Sequence, residues 1–188
     1  MSRAARLPLA LTALRAGLAP VVVALALAWP APRAFGACLV VAFLSDVFDG
    51  VVARRLGVAT PGLRRLDSIA DSVFYVAALF AAWHLHPDAI RAHVAPLLAL
   101  AALELVRYAF DLRKFGREAS YHMWSSKLWG VALFVAFFAL LAFGEARAVP
   151  AAIWIGIAAD LEGLAISATL RAWRTDVPTL WHARRLRG

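Results

Sequence analysis

Four aspartates lie close together in one of the most apolar regions of the chain: Asp46, Asp49, Asp67 and Asp71. A carboxylate at bilayer depth is costly unless it is paired, bound to a metal or functional. Four ionised carboxylates also repel one another, and two divalent cations would balance their charge. Because every ligand is an oxygen, Mg²⁺, Mn²⁺ or Ca²⁺ fits better than zinc or copper. The cluster therefore predicts a two-metal site, a device that commonly serves phosphoryl transfer.

Helical spacing indicates how the cluster is assembled, because residues three, four and seven apart share one face of a helix. The first face holds Asp46, Asp49, Gly50 and Ala53, and the second face, on the next helix, holds Asp67 and Asp71. Residues 55–65 form only a short connection, so we expect antiparallel neighbouring helices whose faces converge. Arg54 adds a bidentate phosphate donor beside them. One carboxylate would take the proton from an attacking hydroxyl.

Composition places the helices that carry these residues in a membrane. The chain is 63% hydrophobic and 17% charged, whereas soluble proteins are about 45–50% apolar and about 25% charged. At about 20 residues per span, we predict an all-α polytopic protein with a single membrane domain, residues 1–188. Residues 3–10 are expected to form a short interfacial segment before a retained first helix. The six predicted spans are residues 11–29, 34–54, 66–85, 93–112, 127–143 and 149–171.

The basic residues predict the orientation. Arg33, Arg91 and Arg147 lie in the first, third and fifth connections, Arg107 lies within a span, and the remaining sixteen of the 20 Lys and Arg lie on the other side. Since cytoplasmic loops retain Lys and Arg, both termini and the aspartates are expected to face the cytoplasm. The net charge of +8 then belongs beside the anionic inner leaflet. No basic motif interleaved with aromatic residues indicates a nucleic-acid partner.

The aspartate region resembles the CDP-alcohol phosphatidyltransferase family, whose signature is Asp-x2-Asp-Gly-x2-Ala-Arg-x8-Gly-x3-Asp-x3-Asp. Seven of its eight fixed positions match with the same spacing, and the exception is Leu63 in place of glycine, with Gly62 one position upstream. Residues 8–20, which retain Thr12 and Arg15, are similar to the family's first-helix pattern. The segment around Lys127 is similar to the start of its fifth helix.

The resemblance implies a role for each residue of the site. Asp71 would complete the metal site and act as the catalytic base on the acceptor hydroxyl. The implied ligands of two Mg²⁺ or Mn²⁺ ions are Asp46, Asp49, Asp67 and Asp71. The implied CDP-binding face consists of Asp46, Asp49, Gly50, Ala53, Arg54 and Asp67. The family further implies a homodimer, and we expect it in a bacterial inner (plasma) membrane with its active site toward the cytoplasm.

The implied reaction transfers a phosphatidyl group from CDP-diacylglycerol to a hydroxyl of a small polar alcohol and releases CMP. Three basic residues, Arg64, Arg107 and Lys127, are candidates for binding the acceptor. They favour a phosphorylated acceptor such as glycerol 3-phosphate. For Arg107, neutralisation by Glu104 one turn away is an equal alternative.

Two other functions remain open. An intramembrane aspartate cluster together with Arg107 also describes a cation or proton transporter, although the sequence has no evident inverted repeat or pair of broken helices. A catalytically silent membrane subunit is the third interpretation, and Leu63 is its only support. Asp160 and Glu162 in the last span predict inward packing or a dimer contact.

Overall fold

Eight α-helices make up the part of the chain that the computed structural model describes. That part is residues 3–57 and 60–186, without the side chains of residues 3–6, 53, 54, 61 and 64. Within it no β-strand forms, so the all-α prediction is confirmed. The helices are α1 (Arg3–Ala28), α2 (Pro32–Arg55), α3 (Pro61–Leu85), α4 (Pro87–Arg91), α5 (Val94–Phe115), α6 (Trp124–Phe143), α7 (Val149–Thr169) and α8 (Leu180–Arg185).

Five of these helices are long and apolar enough to cross a membrane, which makes the chain an integral membrane protein. The spanning segments are Leu7–Ala28, Pro32–Val52, Arg65–Leu85, Trp124–Phe143 and Val149–Thr169. The predicted fourth span corresponds to α5, which carries five charged residues and does not join this group. Six spans therefore stay a prediction. Residues 3–10 are the first turns of a continuous α1 and form no separate segment.

Large apolar side chains remain exposed along the helices. Val76 is 66% exposed, Leu105 69% and Phe143 71%. Exposed apolar patches on a water-soluble protein mark contact surfaces, whereas lipid tails are as apolar as these side chains. The exposed surface therefore suits a bilayer.

The first compact unit comprises Met1–Ile90 with Phe137–Glu145, and α1 is its central helix. α1 packs extensively against both α2 and α3, which touch each other little. Buried alanines such as Ala19 and Ala78 let helix backbones approach closely, as small residues do in membranes. The two helices that carry the aspartates are thus held together mainly through α1, whereas the short connection had predicted direct neighbours.

The start of α3 shows why Leu63 is tolerated. Thr60 is the N-cap, and its side-chain oxygen accepts a hydrogen bond from the Leu63 N–H at 3.3 Å. Both Gly62 and Leu63 then lie in the first helical turn, where the backbone does not require glycine. A Cβ at Gly62 would meet no atom within 4 Å. The backbone at position 63 is therefore ordinary helix and places no requirement for glycine there.

The second compact unit comprises Arg91–Ala136 with Ala146–Gly188, and its main contact joins α5 to α7. α8 packs against α7. The buried face of α7 includes the small residues Ala152, Gly156, Ala159 and Gly163. Around the C-terminal end of α7, an apolar core consists of Tyr121, Met123, Ile166, Leu170, Val177 and Ala183. Small residues on α7 let α5 and α6 side chains approach its backbone.

Gly156→Ala is expected to destabilise the protein by about 1–3 kcal/mol, the usual cost of overpacking. The added Cβ would lie 2.6 Å from Trp129 Nε1 and 3.1 Å from Leu100 Cδ1, so an indole ring would have to move. Thermal unfolding in detergent measures the effect. The matched control is Gly130→Ala on α6, where a Cβ meets nothing within 4 Å. Equal unfolding temperatures for the two variants would contradict this packing.

Candidate active site

Three of the four aspartates form a compact oxygen cluster. One carboxylate oxygen from each of Asp46, Asp49 and Asp67 lies within 4.8 Å of the others. Asp49 is the most buried, with its side chain 5% exposed, while Asp46 and Asp67 are partly exposed. The faces of α2 and α3 therefore converge as their spacing predicts, and the cluster keeps an open side.

The side chain of Arg15 on α1 lies at the centre of this cluster and is 1% exposed. Its Nη2 is 2.5 Å from Asp49 Oδ2 and 3.0 Å from Asp67 Oδ1. Its Nη1 is 3.2 Å from Asp46 Oδ1 and also pairs with Asp71 Oδ1. One guanidinium thus pairs with all four aspartates, through two nitrogens that each serve two carboxylates. This contact explains why α1 lies against both aspartate helices.

Two hydroxyl groups complete the surroundings of Arg15. Ser45 Oγ lies 3.5 Å from Arg15 Nε and donates to the Ala42 carbonyl at 2.8 Å. Thr12 Oγ1 donates to the Pro8 carbonyl at 3.1 Å and lies 3.5 Å from Asp49 Oδ2. Both side chains are buried. α1 and α2 therefore each supply a neutral polar contact beside the charged cluster.

Arg15 is the site residue that sequence reasoning misses, because the positive-inside rule and the family's first-helix pattern both account for it without a role in the site. A signal was present in the sequence. Arg15 lies well inside an apolar helix that carries no acidic residue of its own, and a buried guanidinium needs a carboxylate partner. The aspartates on the next two helices are the nearest carboxylates in the sequence with which Arg15 could form ion pairs.

The donor set fits a hard divalent cation. All three cluster ligands are carboxylate oxygens, as Mg²⁺ and Mn²⁺ prefer. Asp67 Oδ1 is buried and accepts no hydrogen bond, and it lies 3.0 Å from Arg15 Nη2 as a charge pair. The oxygen group that meets the 4.8 Å limit does not include Asp71, which joins the cluster through Arg15. The same nitrogen of Arg15, Nη1, pairs with both Asp71 and Asp46.

The other residues of the predicted CDP-binding face are less fully described. Gly50 follows Asp49 on α2 and is partly buried. The side chains of Ala53, Arg54 and Arg64 lie outside the described residues. For these three positions the predicted roles stay predictions.

Arg107 in the second unit is paired on both sides. Its Nη2 lies 2.7 Å from Glu104 Oε1 on α5, and its Nε lies 3.1 Å from Asp160 Oδ1 on α7. The stem of Arg107 passes over Gly163, where an added Cβ would lie 3.0 Å from Arg107 Cδ. The pair with Glu104 lies within α5, and the pair with Asp160 joins α5 to α7. They show Arg107 neutralised inside its own unit, which was one of its two predicted roles.

Arg107→Met is expected to destabilise the protein by about 3–5 kcal/mol, because it leaves the buried Asp160 carboxylate without its cation. Adding Asp160→Asn should recover part of that loss, since the buried charge is then removed and the other partner of Arg107, Glu104, is partly exposed to solvent. Unfolding of both single variants and the double variant in detergent gives the coupling between the two sites. Strictly additive losses would show that the ion pair contributes nothing to the α5–α7 contact.

Asp160 and Glu162 are both explained by inward contacts within the second unit. Asp160 pairs with Arg107, as described above. Glu162 accepts hydrogen bonds from Ser125 Oγ at 2.6 Å and from the Leu180 N–H at 3.1 Å. It therefore links α6 and α7 to the start of α8. Of the two predictions for these residues, inward packing agrees with the structure.

A second polar chain fixes the end of α7. Asp111 accepts from Ser167 Oγ at 2.5 Å, and the Tyr121 hydroxyl lies 2.9 Å from the same Oγ. Burial raises the pKa of Tyr121 above its usual value, so the phenol keeps its proton. Lys114 Nζ donates to the Ser167 and Ala168 carbonyls at 2.8 and 3.1 Å, where a cation favours a helix C-terminus.

Lys127, the third predicted acceptor residue, is exposed in the first turns of α6. Its Nζ lies 5.2 Å from the centre of the Trp124 ring, a cation–π distance. This contact suits an interface anchor and leaves the donors of the ammonium group accessible. A role in binding the acceptor remains a prediction.

An intramembrane carboxylate cluster that can hold divalent cations defines the general class of site, and comparison with known proteins defines the family. The family model for CDP-alcohol phosphatidyltransferase matches residues 5–162. The chain therefore belongs to the CDP-alcohol phosphatidyltransferase family. The matched range includes all four aspartates and Arg15. No curated protein and no solved structure matches the chain.

Proposed function

We propose that this protein transfers a phosphatidyl group from CDP-diacylglycerol to a hydroxyl of a small polar alcohol and releases CMP. The observation that carries this proposal is the cluster of Asp46, Asp49 and Asp67 within a chain of the phosphatidyltransferase family. Transferases of this family act in phospholipid synthesis. A lipid-borne donor and a polar acceptor both suit a carboxylate site on apolar helices.

The reaction joins the acceptor oxygen to the phosphorus that carries diacylglycerol. The bond between that phosphorus and the bridging oxygen of the pyrophosphate breaks, and CMP leaves with the electron pair. Asp71 accepts the proton of the acceptor hydroxyl, as a general base does. The aspartates would hold Mg²⁺ or Mn²⁺, which would supply positive charge to the phosphate oxygens. The balanced products are a phospholipid, CMP and one proton.

Asp46, Asp49 and Asp67 are the residues that would hold two divalent cations, with Asp71 completing the set. Four carboxylates carry a charge of −4, and two divalent cations supply +4. Arg15 then adds one positive charge beside the site, which complements an anionic pyrophosphate. The net positive charge of this arrangement favours binding of a phosphate-containing substrate over transport of an inorganic cation.

Gly50, Ala53 and Arg54 belong to the proposed CDP-binding face. Gly50 and Ala53 lack bulk, so a nucleotide can approach the α2 backbone, and Arg54 would donate to a phosphate oxygen. Leu63 lies in the first turn of α3, where the backbone does not need glycine, and we propose that it borders this face. Its side chain would then narrow the space for donor or acceptor.

The acceptor is proposed to be a small phosphorylated alcohol such as glycerol 3-phosphate, bound with the help of Arg64 and Lys127. Arg107 is the weakest member of the predicted set, because Glu104 and Asp160 already neutralise it. The same proposal includes the topology and assembly of the protein. It comprises six spans, cytoplasmic termini, a cytoplasm-facing site in a bacterial inner membrane, a single membrane domain and a homodimer.

The purified protein in detergent, supplied with CDP-diacylglycerol and Mn²⁺, tests the proposal against a panel of alcohols. Mass spectrometry of the lipid products should reveal one new phospholipid, with glycerol 3-phosphate as the expected acceptor. A product with serine, inositol phosphate or choline instead would overturn the choice of acceptor and keep the reaction class. No product with any alcohol, together with cation or proton flux in liposomes, would favour the transporter.

A further inference from the structure

The position of Arg15 raises a question that the proposed function leaves open. Its guanidinium pairs with Asp46, Asp49 and Asp67, the same three residues whose oxygens could hold a cation. An arginine side chain keeps its charge at any physiological pH. Its terminal nitrogens lie 3.2, 2.5 and 3.0 Å from the oxygens of these aspartates, so they occupy the positions from which a metal ion would bind, and their charge would repel that ion at close range. Arg15 and a divalent cation are therefore alternatives.

We propose that Arg15 is a built-in counter-ion of the metal-free site, which divalent cations must displace from the aspartates in order to bind. This inference rests on the proposed function only in requiring that the aspartates hold metal. With no metal bound, the guanidinium offsets part of the repulsion among four carboxylates and holds α2 and α3 in register. The same ion pairs lower the affinity of the site for metal, because they must be broken when a cation binds.

The surroundings of Arg15 allow such a displacement. Only its two terminal nitrogens reach the aspartates, while Nε faces the neutral hydroxyl of Ser45 at 3.5 Å. Three of its four partners are partly exposed, at 44% for Asp46, 31% for Asp67 and 32% for Asp71. Cations can therefore approach these carboxylates from the open side. Asp49, with its side chain 5% exposed, is expected to release Arg15 last.

The proposal predicts that Arg15→Gln binds Mn²⁺ more tightly than the unaltered chain. Glutamine keeps a polar side chain in place of the guanidinium and removes the competing charge. We expect an affinity at least about tenfold higher, together with a lower unfolding temperature of the metal-free protein and a larger stabilisation by Mn²⁺. Titration of the detergent-solubilised protein with Mn²⁺, followed by the spectroscopic signal of the free ion, measures the affinity without donor lipid.

Arg33→Gln is the matched control, because Arg33 is an exposed arginine at the start of α2 in the same unit. Its Mn²⁺ affinity should equal that of the unaltered chain. An Arg15→Gln affinity that is unchanged or weaker would overturn the proposal. If Arg15→Gln fails to fold, Arg15→Met replaces it, since methionine keeps a long unbranched side chain in the helix and also removes the competing charge. Tighter binding is again expected, and unchanged or weaker binding again overturns the proposal.

The two proposals fail in different ways. Tighter Mn²⁺ binding by Arg15→Gln in a protein that never releases CMP would support the counter-ion and contradict phosphatidyl transfer. Metal-dependent CMP release by the unaltered chain, with no change of Mn²⁺ affinity in Arg15→Gln, would support the transferase and contradict the counter-ion.

Discussion

Asp67→Asn is expected to lower CMP release by at least about a thousandfold, equivalent to roughly 4 kcal/mol of transition-state stabilisation. Asparagine has the size of aspartate but no charge and only one acceptor oxygen. The oxygen cluster would lose one of its three charged ligands, Asp67 being its contribution from α3. Turnover of CDP-diacylglycerol by the purified variant at saturating Mn²⁺ measures the effect.

Asp88→Asn is the control for this substitution, because it makes the same chemical change at an exposed position in α4. Its turnover should match that of the unaltered chain. Near-normal turnover of Asp67→Asn would show that Asp67 is not a metal ligand and would contradict the three-aspartate cluster as the metal site. Binding of Mn²⁺ should fall in parallel with activity in Asp67→Asn, since both depend on the same oxygen ligands.

Asp71→Asn is expected to lower kcat by about a hundred- to ten-thousandfold, the usual contribution of a general base. Asp71 lies outside the 4.8 Å oxygen cluster and reaches it through Arg15. Binding of Mn²⁺ and of the donor lipid should therefore change much less than turnover. Steady-state kinetics, combined with equilibrium binding of donor lipid when acceptor is withheld, separates the two effects.

Asp71→Glu serves as the comparison for this variant, because it keeps the carboxylate and moves it by about one methylene. Part of the lost kcat should return, which a purely structural role of Asp71 would not explain. Equal losses in Mn²⁺ binding, donor binding and kcat for Asp71→Asn would instead identify Asp71 as chiefly a metal ligand.

The location of the aspartate site could be predicted from the sequence because its determinants are local. Asp46 and Asp49 share a helical face, as do Asp67 and Asp71, and only a short connection separates the two helices. A carboxylate in an apolar run is costly, which limits it to a few roles. The helical spacing of the aspartates and the energetic cost of burying them are together sufficient to predict that the two helix faces converge.

The contribution of α1 could not be predicted in the same way. Arg15 meets aspartates that lie 31 to 56 residues away, and no spacing rule reaches that far. Its charge agreed equally well with the positive-inside rule, so topology appeared to explain it. Which pairs of helices touch depends on packing, and the buried alanines of α1 and α3 made α1 the central helix.

The second unit shows the opposite limit of sequence reasoning. Glu104, Arg107 and Asp111 lie in the segment that the sequence predicts as the fourth span, and these charges keep α5 out of the group of helices apolar enough to cross a membrane. The structure places Arg107 against Asp160 and Asp111 against Ser167, both on α7. Charges that pair across a helix contact do not need water, so mean hydropathy overstates their cost. An average over residue types does not record which charges form ion pairs with each other.

The central claim is that the four aspartates carry a metal-dependent phosphatidyl transfer. It is tested most directly by CMP release from CDP-diacylglycerol as Mn²⁺ is titrated into chelator-treated protein with acceptor present. We predict no CMP while chelator is in excess and a saturable rise with Mn²⁺, with one CMP per phospholipid formed. The same titration of Asp67→Asn should show no rise. CMP release that chelator does not reduce, or no CMP with any acceptor at any Mn²⁺ concentration, would contradict the claim.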